Sequence, residues 1–273
     1  MFKGAQRGAG ASCLRAIALP GATPCPRSVL STTTVLRSTL FNALFYLATA
    51  LFLLLGSPLL LAPRRFAMMG LVAHANTCCW LLRVIAGTRL EVRGREHLPA
   101  GAALIASKHQ SAWDTFGLIP LLHDPALVMK AELGRIPVYG AFARKFGMIL
   151  VPRERRAAAL KQMLRDAKQR AVDGRHILIF PEGTRQAPGA PPDYKSGALA
   201  LYEALDLPCV PIALNSGLFW PRRGFLRRPG IVIVEFLPSL PPGLPRQSFT
   251  HELQTRIETA TARLVAEGTQ VPE

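Results

Sequence analysis

Residues 102–114 read A-A-L-I-A-S-K-H-Q-S-A-W-D, an apolar run followed by a polar turn. Residues 102–107 are apolar apart from the final serine and follow a Pro-Ala-Gly turn, which predicts a short buried strand. Residues 112–122 are again mostly apolar and predict a helix. His109 is therefore expected in the turn between strand and helix, with Asp114 in the first helical turn.

His109 and Asp114 would be separated on a continuous helix, because five residues correspond to a rotation of about 140°. A turn followed by a helix instead lets the imidazole fold back onto the carboxylate. The carboxylate then holds one ring nitrogen and leaves the other free to take a proton from a hydroxyl group. The same residues also fit a capping box, in which Asp114 serves the helix start and His109 is a solvated turn residue.

Composition limits the partners that the protein can have. The chain of 273 residues carries 33 Lys and Arg against 17 Asp and Glu, a formal net charge of +16, which implies an anionic partner. A hydrophobic content of 49% with only 7% aromatic residues favours a lipid membrane over nucleic acid, since base stacking needs aromatic side chains. The five cysteines are odd in number and lack C-x-x-C spacing, which argues against a disulfide scaffold or zinc site and favours a reducing, cytosol-facing domain.

The N-terminal part of the chain is basic and then strongly apolar. Residues 1–38 contain no acidic residue and predict a flexible leader, which fits a transit peptide, a basic tail on anionic lipid or an over-extended start site. Residues 40–61 are uncharged and long enough to cross a bilayer, and a second apolar segment follows at 66–86. Basic residues flank the first segment on both sides, so a single crossing would oppose the positive-inside tendency. We therefore predict a membrane-associated helical hairpin over residues 39–90, which spans the bilayer or enters one leaflet.

Residues 91–273 have the composition of a globular α/β domain, in which short apolar runs alternate with amphipathic segments. The pattern predicts a mixed central sheet flanked by helices. The predicted strands are 102–107, 126–129, 148–151, 176–180, 209–214 and 231–237, and the predicted helices after 122 are 154–173, 195–206 and 248–267.

Polar side chains come directly after four of the predicted strands in the sequence. Loops at the carboxyl ends of strands gather into one crevice in sheets with crossover helices, so these side chains are expected to surround one pocket. Lys130, Arg153 and Arg185 form a set suited to a phosphate group. Glu182 is expected to accept a hydrogen bond from a substrate hydroxyl, and Gly183 lets the backbone approach a ligand closely. Each charge also has a structural alternative, such as a surface ion pair.

Other chemistries find little support in the sequence. It contains no G-x-S-x-G elbow, phosphate loop, G-x-G-x-x-G or H-E-x-x-H motif. His123 and His176 have no partner at metal-ligand spacing, and Cys209 lies in an apolar run, so all three are predicted to be structural. Residues 220–229 form a basic, turn-rich loop that is predicted to be solvated or to touch the membrane, with an acidic carrier protein as a less favoured partner.

Four sequence blocks carry a family resemblance: K-H-Q-S-A-W-D at 108–114, G-M-I-L-V-P-R at 147–153, F-P-E-G-T-R at 180–185 and V-P-I at 210–212. They come in the order of the four glycerolipid acyltransferase blocks, and the chain resembles the 1-acylglycerol-3-phosphate (lysophosphatidate) acyltransferases over residues 91–216. One departure is Lys108, where the family usually has Asn before the histidine.

The resemblance implies transfer of a fatty acyl group from acyl-CoA or acyl-carrier protein to the free hydroxyl of 1-acyl-sn-glycerol-3-phosphate, giving phosphatidate, with no metal or other cofactor. His109 would take the hydroxyl proton and Asp114 would orient it. The implied substrate-binding residues are Lys130, Arg153 and Arg185 for the phosphate, Glu182 and Gly183 for the glycerol, and Thr184 between them.

The expected partners are anionic membrane lipids and the acyl thioester donor, and nucleic acid is not expected. We expect a membrane-associated protein with its catalytic domain on the cytoplasmic face of a bacterial inner membrane or its organellar equivalent. One alternative is an acyltransferase that acts on another lysophospholipid or on a lyso-aminolipid. A different class of alternative is a non-catalytic, basic, lipid-binding protein of the membrane surface.

Overall fold

Seven strands pair into one mixed sheet in the computed structural model, which describes residues 32–152 and 156–270. Their order across the sheet is β1-β7-β6-β2-β5-β3-β4. All neighbouring strands are parallel except β6 and β7, which run antiparallel. The strands are β1 (Thr88–Arg93), β2 (Ala103–Ser107), β3 (Ala126–Lys130), β4 (Ile149–Val151), β5 (His176–Ile179), β6 (Cys209–Leu214) and β7 (Gly230–Phe236).

Helices cover both faces of the sheet, as predicted, so the mixed α/β architecture is confirmed. The last three helices agree with the predicted ranges to within a few residues. The helices are α1 (Thr32–Leu55), α2 (Arg64–Leu81), α3 (Asp114–Gly117), α4 (Tyr139–Lys145), α5 (Arg156–Val172), α6 (Ser196–Leu205) and α7 (Arg246–Gln270).

Strand β2 lies at the centre of the sheet and separates two hydrophobic cores. Its side chains alternate between the two faces, as the twofold period of a strand requires. Ala103 and Ile105 pack in a core that includes residues of α1 and α2. Leu104 and Ala106 pack in a second core with residues of α5, α6 and α7. All four are fully buried, which accounts for the uninterrupted apolar run in the sequence.

The two N-terminal helices are each long and apolar enough to cross a membrane, by length and composition. Few of their residues are buried, and the hydroxyl of Thr49 lies 3.1 Å from Nε2 of His74 across the pair. A short turn joins them, so the predicted hairpin is confirmed as an apolar helix pair. Helix α1 begins at Thr32 and thus includes residues 32–38 of the predicted leader; the rest of that segment lies outside the described residues.

Asp124 fastens the start of α2 to the sheet. The guanidinium of Arg64 donates two hydrogen bonds to the Asp124 carboxylate, one of them 2.8 Å from Nη1 to Oδ1. Arg175, only 1% exposed, donates from Nε to the Asp124 carbonyl oxygen at 2.9 Å. Burial lowers the pKa of Arg175 to about 10. The N-terminal helix pair and the α/β domain are therefore joined by charge-assisted hydrogen bonds as well as by apolar packing.

The helix predicted over residues 112–122 is wrong in its length. Helix α3 ends at Gly117, and a single 3-10 turn over Ile119–Leu121 follows. Pro120 lies inside that turn, and proline removes the amide that a longer α-helix would need. Gly117 packs so closely on Trp113 that a Cβ atom there would lie 2.3 Å from the indole ring.

Candidate active site

The turn after β2 brings His109 and Asp114 together. The Lys108 amide still donates to the Ile212 carbonyl at 2.9 Å, which extends the pairing of β2 with β6. The chain then turns so that Nδ1 of His109 lies 2.9 Å from Oδ2 of Asp114. The same carboxylate oxygen accepts from the amides of Gln110 and Ser111 at 2.7 and 2.9 Å. This is the folded-back arrangement that the turn-then-helix pattern predicted.

The Asp114 carboxylate is fully buried and accepts four hydrogen bonds in all. The fourth comes from Oγ of Ser216, which donates to Oδ1 at 2.6 Å. Because the carboxylate accepts, Nδ1 of His109 must carry a proton in the hydrogen bond between them. In the neutral imidazole the other nitrogen, Nε2, is then the one able to accept a proton.

Phe180 packs on the face of the His109 ring, in addition to the contact of Asp114 at its edge. It stacks on Phe180 with a centroid distance of 4.0 Å and an interplanar angle of 18°, and it is 9% exposed. The alternative that made His109 a solvated turn residue is therefore wrong. Its capping component is present in part, since Asp114 accepts from the Ser111 amide and Ser111 Oγ accepts from the Trp113 amide.

The segment that follows β5 lies directly against the His109 turn. The Gln186 amide donates to the His109 carbonyl at 2.8 Å, and Nζ of Lys108 lies 2.8 Å from Oε1 of Glu182. Gly183 has a φ of +62°, a left-handed conformation that favours glycine, and its amide donates to the Phe180 carbonyl at 2.9 Å. Two of the blocks predicted to converge are therefore in contact.

The remaining predicted site residues differ in their surroundings. Arg185 and Thr184 are partly buried in the same segment, and the Thr184 hydroxyl accepts from Arg222 at 3.4 Å. Lys130 is exposed at the end of β3, on the same edge of the sheet as the ends of β2 and β5. Arg153 lies outside the described residues. Glu182 is buried in its ion pair with Lys108, and its predicted contact with a substrate hydroxyl stays a prediction.

Three contacts of the site were not predicted from the sequence: the Ser216 hydrogen bond, the Phe180 stacking and the pairing of Lys108. Ser216 follows β6 at the edge where β2 ends, so the rule that placed the other polar loops applies to it as well. Ser216 was not predicted as a site residue, because small polar residues are common in any loop.

Replacing Ser216 by alanine should lower the turnover number by about tenfold and the free energy of unfolding by about 1 kcal/mol, because the buried carboxylate loses one of its four donors. Steady-state kinetics and chemical denaturation measure the two effects. Ser239→Ala, at an exposed position, is the matched control. An unchanged turnover number in Ser216→Ala would show that this hydrogen bond does not help Asp114 to orient the His109 ring.

The histidines and the cysteine predicted to be structural have structural contacts. Nδ1 of His176 accepts from the His123 amide at 3.0 Å, and burial lowers the pKa of His176. Cys209 is fully buried in β6, and burial raises the pKa of its thiol. Among the residues that the structure describes, no group of three or more His, Cys, Asp and Glu side chains is placed to hold a metal ion.

The carboxylate of Asp114 holds one nitrogen of the His109 ring and leaves the other without a bond to it, an arrangement that general-base enzymes use. Comparison with known proteins identifies the protein family. A family model described as Acyltransferase matches residues 89–215. The 1-acyl-sn-glycerol-3-phosphate acyltransferase of Pseudomonas aeruginosa is 36% identical over 188 residues, which cover 69% of this chain and 73% of that protein. The protein of the same description from Helicobacter pylori is 30% identical over 191 residues, 67% of this chain and 78% of that protein.

Two further matches, one in sequence and one in fold, are to proteins with similar descriptions. Human 1-acyl-sn-glycerol-3-phosphate acyltransferase alpha is 31% identical over 137 residues, which cover 50% of this chain and 48% of that protein. The crystal structure of the 1-acyl-sn-glycerophosphate (LPA) acyltransferase PlsC from Thermotoga maritima matches the fold with a TM-score of 0.70 at 18% identity, over 84% of this chain and 97% of that one. The chain belongs to the acyltransferase family, and the resemblance seen in its four blocks is confirmed.

Proposed function

We propose that this acyltransferase moves a fatty acyl group from a thioester to the free hydroxyl of 1-acyl-sn-glycerol-3-phosphate, giving phosphatidate. The observation that carries the proposal is the hydrogen bond between His109 and the fully buried Asp114. Nε2 of His109 takes the hydroxyl proton as the oxygen attacks the thioester carbon. The new C–O bond forms, the C–S bond breaks, and the proton passes from His109 to the departing thiolate.

The choice of acceptor is supported by the cations near the His109 turn. Arg185 lies one residue before Gln186, whose amide is bonded to the His109 carbonyl. We assign the acceptor phosphate to Arg185, with Lys130 and Arg153 as further ligands, because guanidinium and ammonium groups bind phosphate through charge-assisted hydrogen bonds. Gly183 and Thr184 of the same segment are assigned to the glycerol. The relatives named above as 1-acyl-sn-glycerol-3-phosphate acyltransferases support the same acceptor.

The acyl donor in this proposal is acyl-CoA or acyl-carrier protein, and it acts as a co-substrate. No metal or other cofactor takes part. Holding both lipids in one site contributes much of the rate, because it removes the entropic cost of bringing two reactants together.

A basic loop over residues 221–228 is proposed to contact anionic lipid. Arg227 fixes this loop to α1, because its amide donates to Oγ of Ser38 at 2.8 Å and its Nη2 donates to Oδ1 of Asn42 at 2.9 Å. Arg222, Arg223, Phe225 and Arg228 of the loop remain exposed. Exposed cations with one aromatic side chain beside an apolar helix match the surface of an anionic bilayer. We place this surface and the catalytic domain on the cytoplasmic face, since basic residues also flank the first apolar segment.

The decisive experiment is an assay of the purified protein against a panel of lyso-lipids with both types of acyl donor. We expect lysophosphatidate to be the preferred acceptor. Turnover of another lysophospholipid or of a lyso-aminolipid, without turnover of lysophosphatidate, would replace the proposed acceptor. Binding to anionic vesicles without transfer from either donor would identify a non-catalytic lipid-binding protein.

Replacing Arg185 by glutamine should raise the KM for lysophosphatidate by at least about tenfold, because a charge-assisted contact to the phosphate is lost. The KM for the acyl donor should change little. Initial rates measured with each substrate varied in turn separate the two values. Arg165→Gln, on the exposed side of α5, is the matched control. Equal increases in both KM values would contradict the assignment of Arg185 to the acceptor.

A further inference from the structure

Lys108 is a buried cation next to the proposed base, and the proposed mechanism does not use it. Its side chain is 3% exposed, and its ammonium group is bonded to two carboxylates. Nζ lies 2.8 Å from Oε1 of Glu182, and 2.8 and 3.0 Å from the two carboxylate oxygens of Glu258. Lysine is rarely buried without such partners, because the loss of hydration must be offset.

The network joins segments that are far apart in the sequence. Glu258 lies on α7 and accepts a further hydrogen bond from the Tyr194 hydroxyl at 3.0 Å. Burial raises the pKa of Tyr194, so its hydroxyl remains a neutral donor. Lys108 therefore links the His109 turn to the segment over 180–195 and to the C-terminal helix.

Charge balance in this network depends on the ammonium group. Two carboxylates, those of Glu182 and Glu258, face a single cation. Burial raises the pKa of Glu182, and Lys108 opposes that shift. If the cation is removed, two carboxylates remain at close range, and both can stay ionised only at a large energetic cost.

Three backbone hydrogen bonds hold the segment over 180–195 in the same arrangement. The amides of Gly183, Gln186 and Lys195 donate to the carbonyls of Phe180, His109 and Pro181 at 2.9, 2.8 and 2.8 Å, respectively. Repulsion between Glu182 and Glu258 would pull this segment away from α7 and strain the bond from Gln186 to His109, which of the three is the one that joins the segment to the His109 turn.

We propose that Lys108 is a positioning residue, which holds the substrate-binding segment over 180–186 against the His109 turn by bridging Glu182 to Glu258 on α7. The assignment rests on the proposed function and extends it to a buried cation that two carboxylates balance.

Charge-restoring variants test the proposal. Lys108→Met keeps an unbranched side chain of similar length but leaves the two carboxylates without a cation. The double variant Lys108→Met with Glu258→Gln leaves one carboxylate, and so restores the net charge of the wild-type network. Glu258→Gln alone keeps the pair of Lys108 with Glu182. Lys161→Met, at an exposed position of α5, is the matched control.

We expect Lys108→Met to lower kcat/KM for lysophosphatidate by about 10²-fold near pH 8, because one partner of a buried ion network is lost. The deficit relative to wild type should shrink as the pH falls, because burial raises the pKa of Glu182 and protonation of that carboxyl relieves the repulsion between the two side chains. The charged and titratable groups of this network are Lys108, Glu182, Glu258 and Tyr194, while Lys195 is paired with Asp193 at the exposed surface.

The double variant should regain at least about tenfold of the activity lost near pH 8. Glu258→Gln alone should lose less activity than Lys108→Met, because the amide oxygen of glutamine can still accept from Nζ of Lys108. A purely structural lysine would lower thermal stability and activity together, without this pH dependence and without rescue by Glu258→Gln. A pH-independent deficit, or a double variant no better than Lys108→Met, would overturn the proposal.

Amide hydrogen exchange gives a readout that needs no turnover. Exchange at the Gln186 amide should accelerate in Lys108→Met and return toward the wild-type rate in the double variant. Unchanged exchange in Lys108→Met would overturn the positioning role even if wild type acylates lysophosphatidate. Failure of wild type to acylate lysophosphatidate would instead overturn the proposed function, and the exchange result would still decide the role of Lys108. If Lys108→Met does not fold, we expect the double variant to fold, because its network has the wild-type net charge. If neither variant folds, the charge argument is refuted.

Discussion

Replacing His109 by alanine should lower the turnover number of acyl transfer by about 10³-fold with the fold retained, because general-base help is worth about 10²–10⁴ in rate. The imidazole is fixed by Asp114 at 2.9 Å and by stacking on Phe180, so no neighbouring side chain replaces it at the same place. Single-turnover and steady-state assays with lysophosphatidate measure the loss. Circular dichroism and binding to anionic vesicles report on the fold and on lipid binding.

The control for this prediction is His251→Ala, which removes an exposed imidazole from α7 and should leave the turnover number unchanged. Retained turnover in His109→Ala would refute the role of His109 as base. Loss of the fold together with activity would favour a structural role for the His109–Asp114 pair.

Replacing Asp114 by asparagine should lower the turnover number by about 10³–10⁴-fold, because the amide no longer selects the histidine tautomer that leaves Nε2 free. The aspartate accepts from His109, from the amides of Gln110 and Ser111, and from Ser216. Asparagine offers one acceptor oxygen, and its amino group would face one of these donors. The free energy of unfolding should therefore also fall, by about 1–3 kcal/mol.

Kinetics and denaturation of the same sample distinguish the two effects of Asp114→Asn. Asp193→Asn, which changes an exposed carboxylate close to the site, should alter neither quantity appreciably. A variant at position 114 that is destabilised but fully active would show that the carboxylate shapes the turn and does not orient the base.

Much of the fold could be predicted because the buried strands are continuous apolar runs. All six predicted strands are present with boundaries within one residue, and β6 matches its prediction at both ends. Strand β1 was missed because Thr88–Arg93 is not a continuous apolar run: its only apolar residues, Leu90 and Val92, lie among charged ones. Helix α4 was missed because Tyr139–Lys145 is short and follows Val138, which has the unusual positive φ of 61°.

The site was predictable only where its residues are close in sequence or follow strands. The His109–Asp114 pair and the segment after β5 each consist of residues that are close in sequence and follow a strand. The contact between Lys108 and Glu258 joins positions 150 residues apart and depends on how α7 packs, which no local pattern encodes. The sequence did mark Lys108 as unusual for the family, but only the structure shows the carboxylates that surround it.

If the helix pair enters a bilayer, the attachment of α2 to Asp124 would link the depth of the pair to the height of the site above the lipid. Arg64 begins the second apolar helix, and its bonds to Asp124, together with those of Arg175, form a stiff connection to the sheet that carries His109. Through these bonds, a vertical movement of the helix pair would be expected to move the imidazole as well. The depth to which the pair settles in the lipid would then select which hydroxyl group along a lipid molecule meets the base.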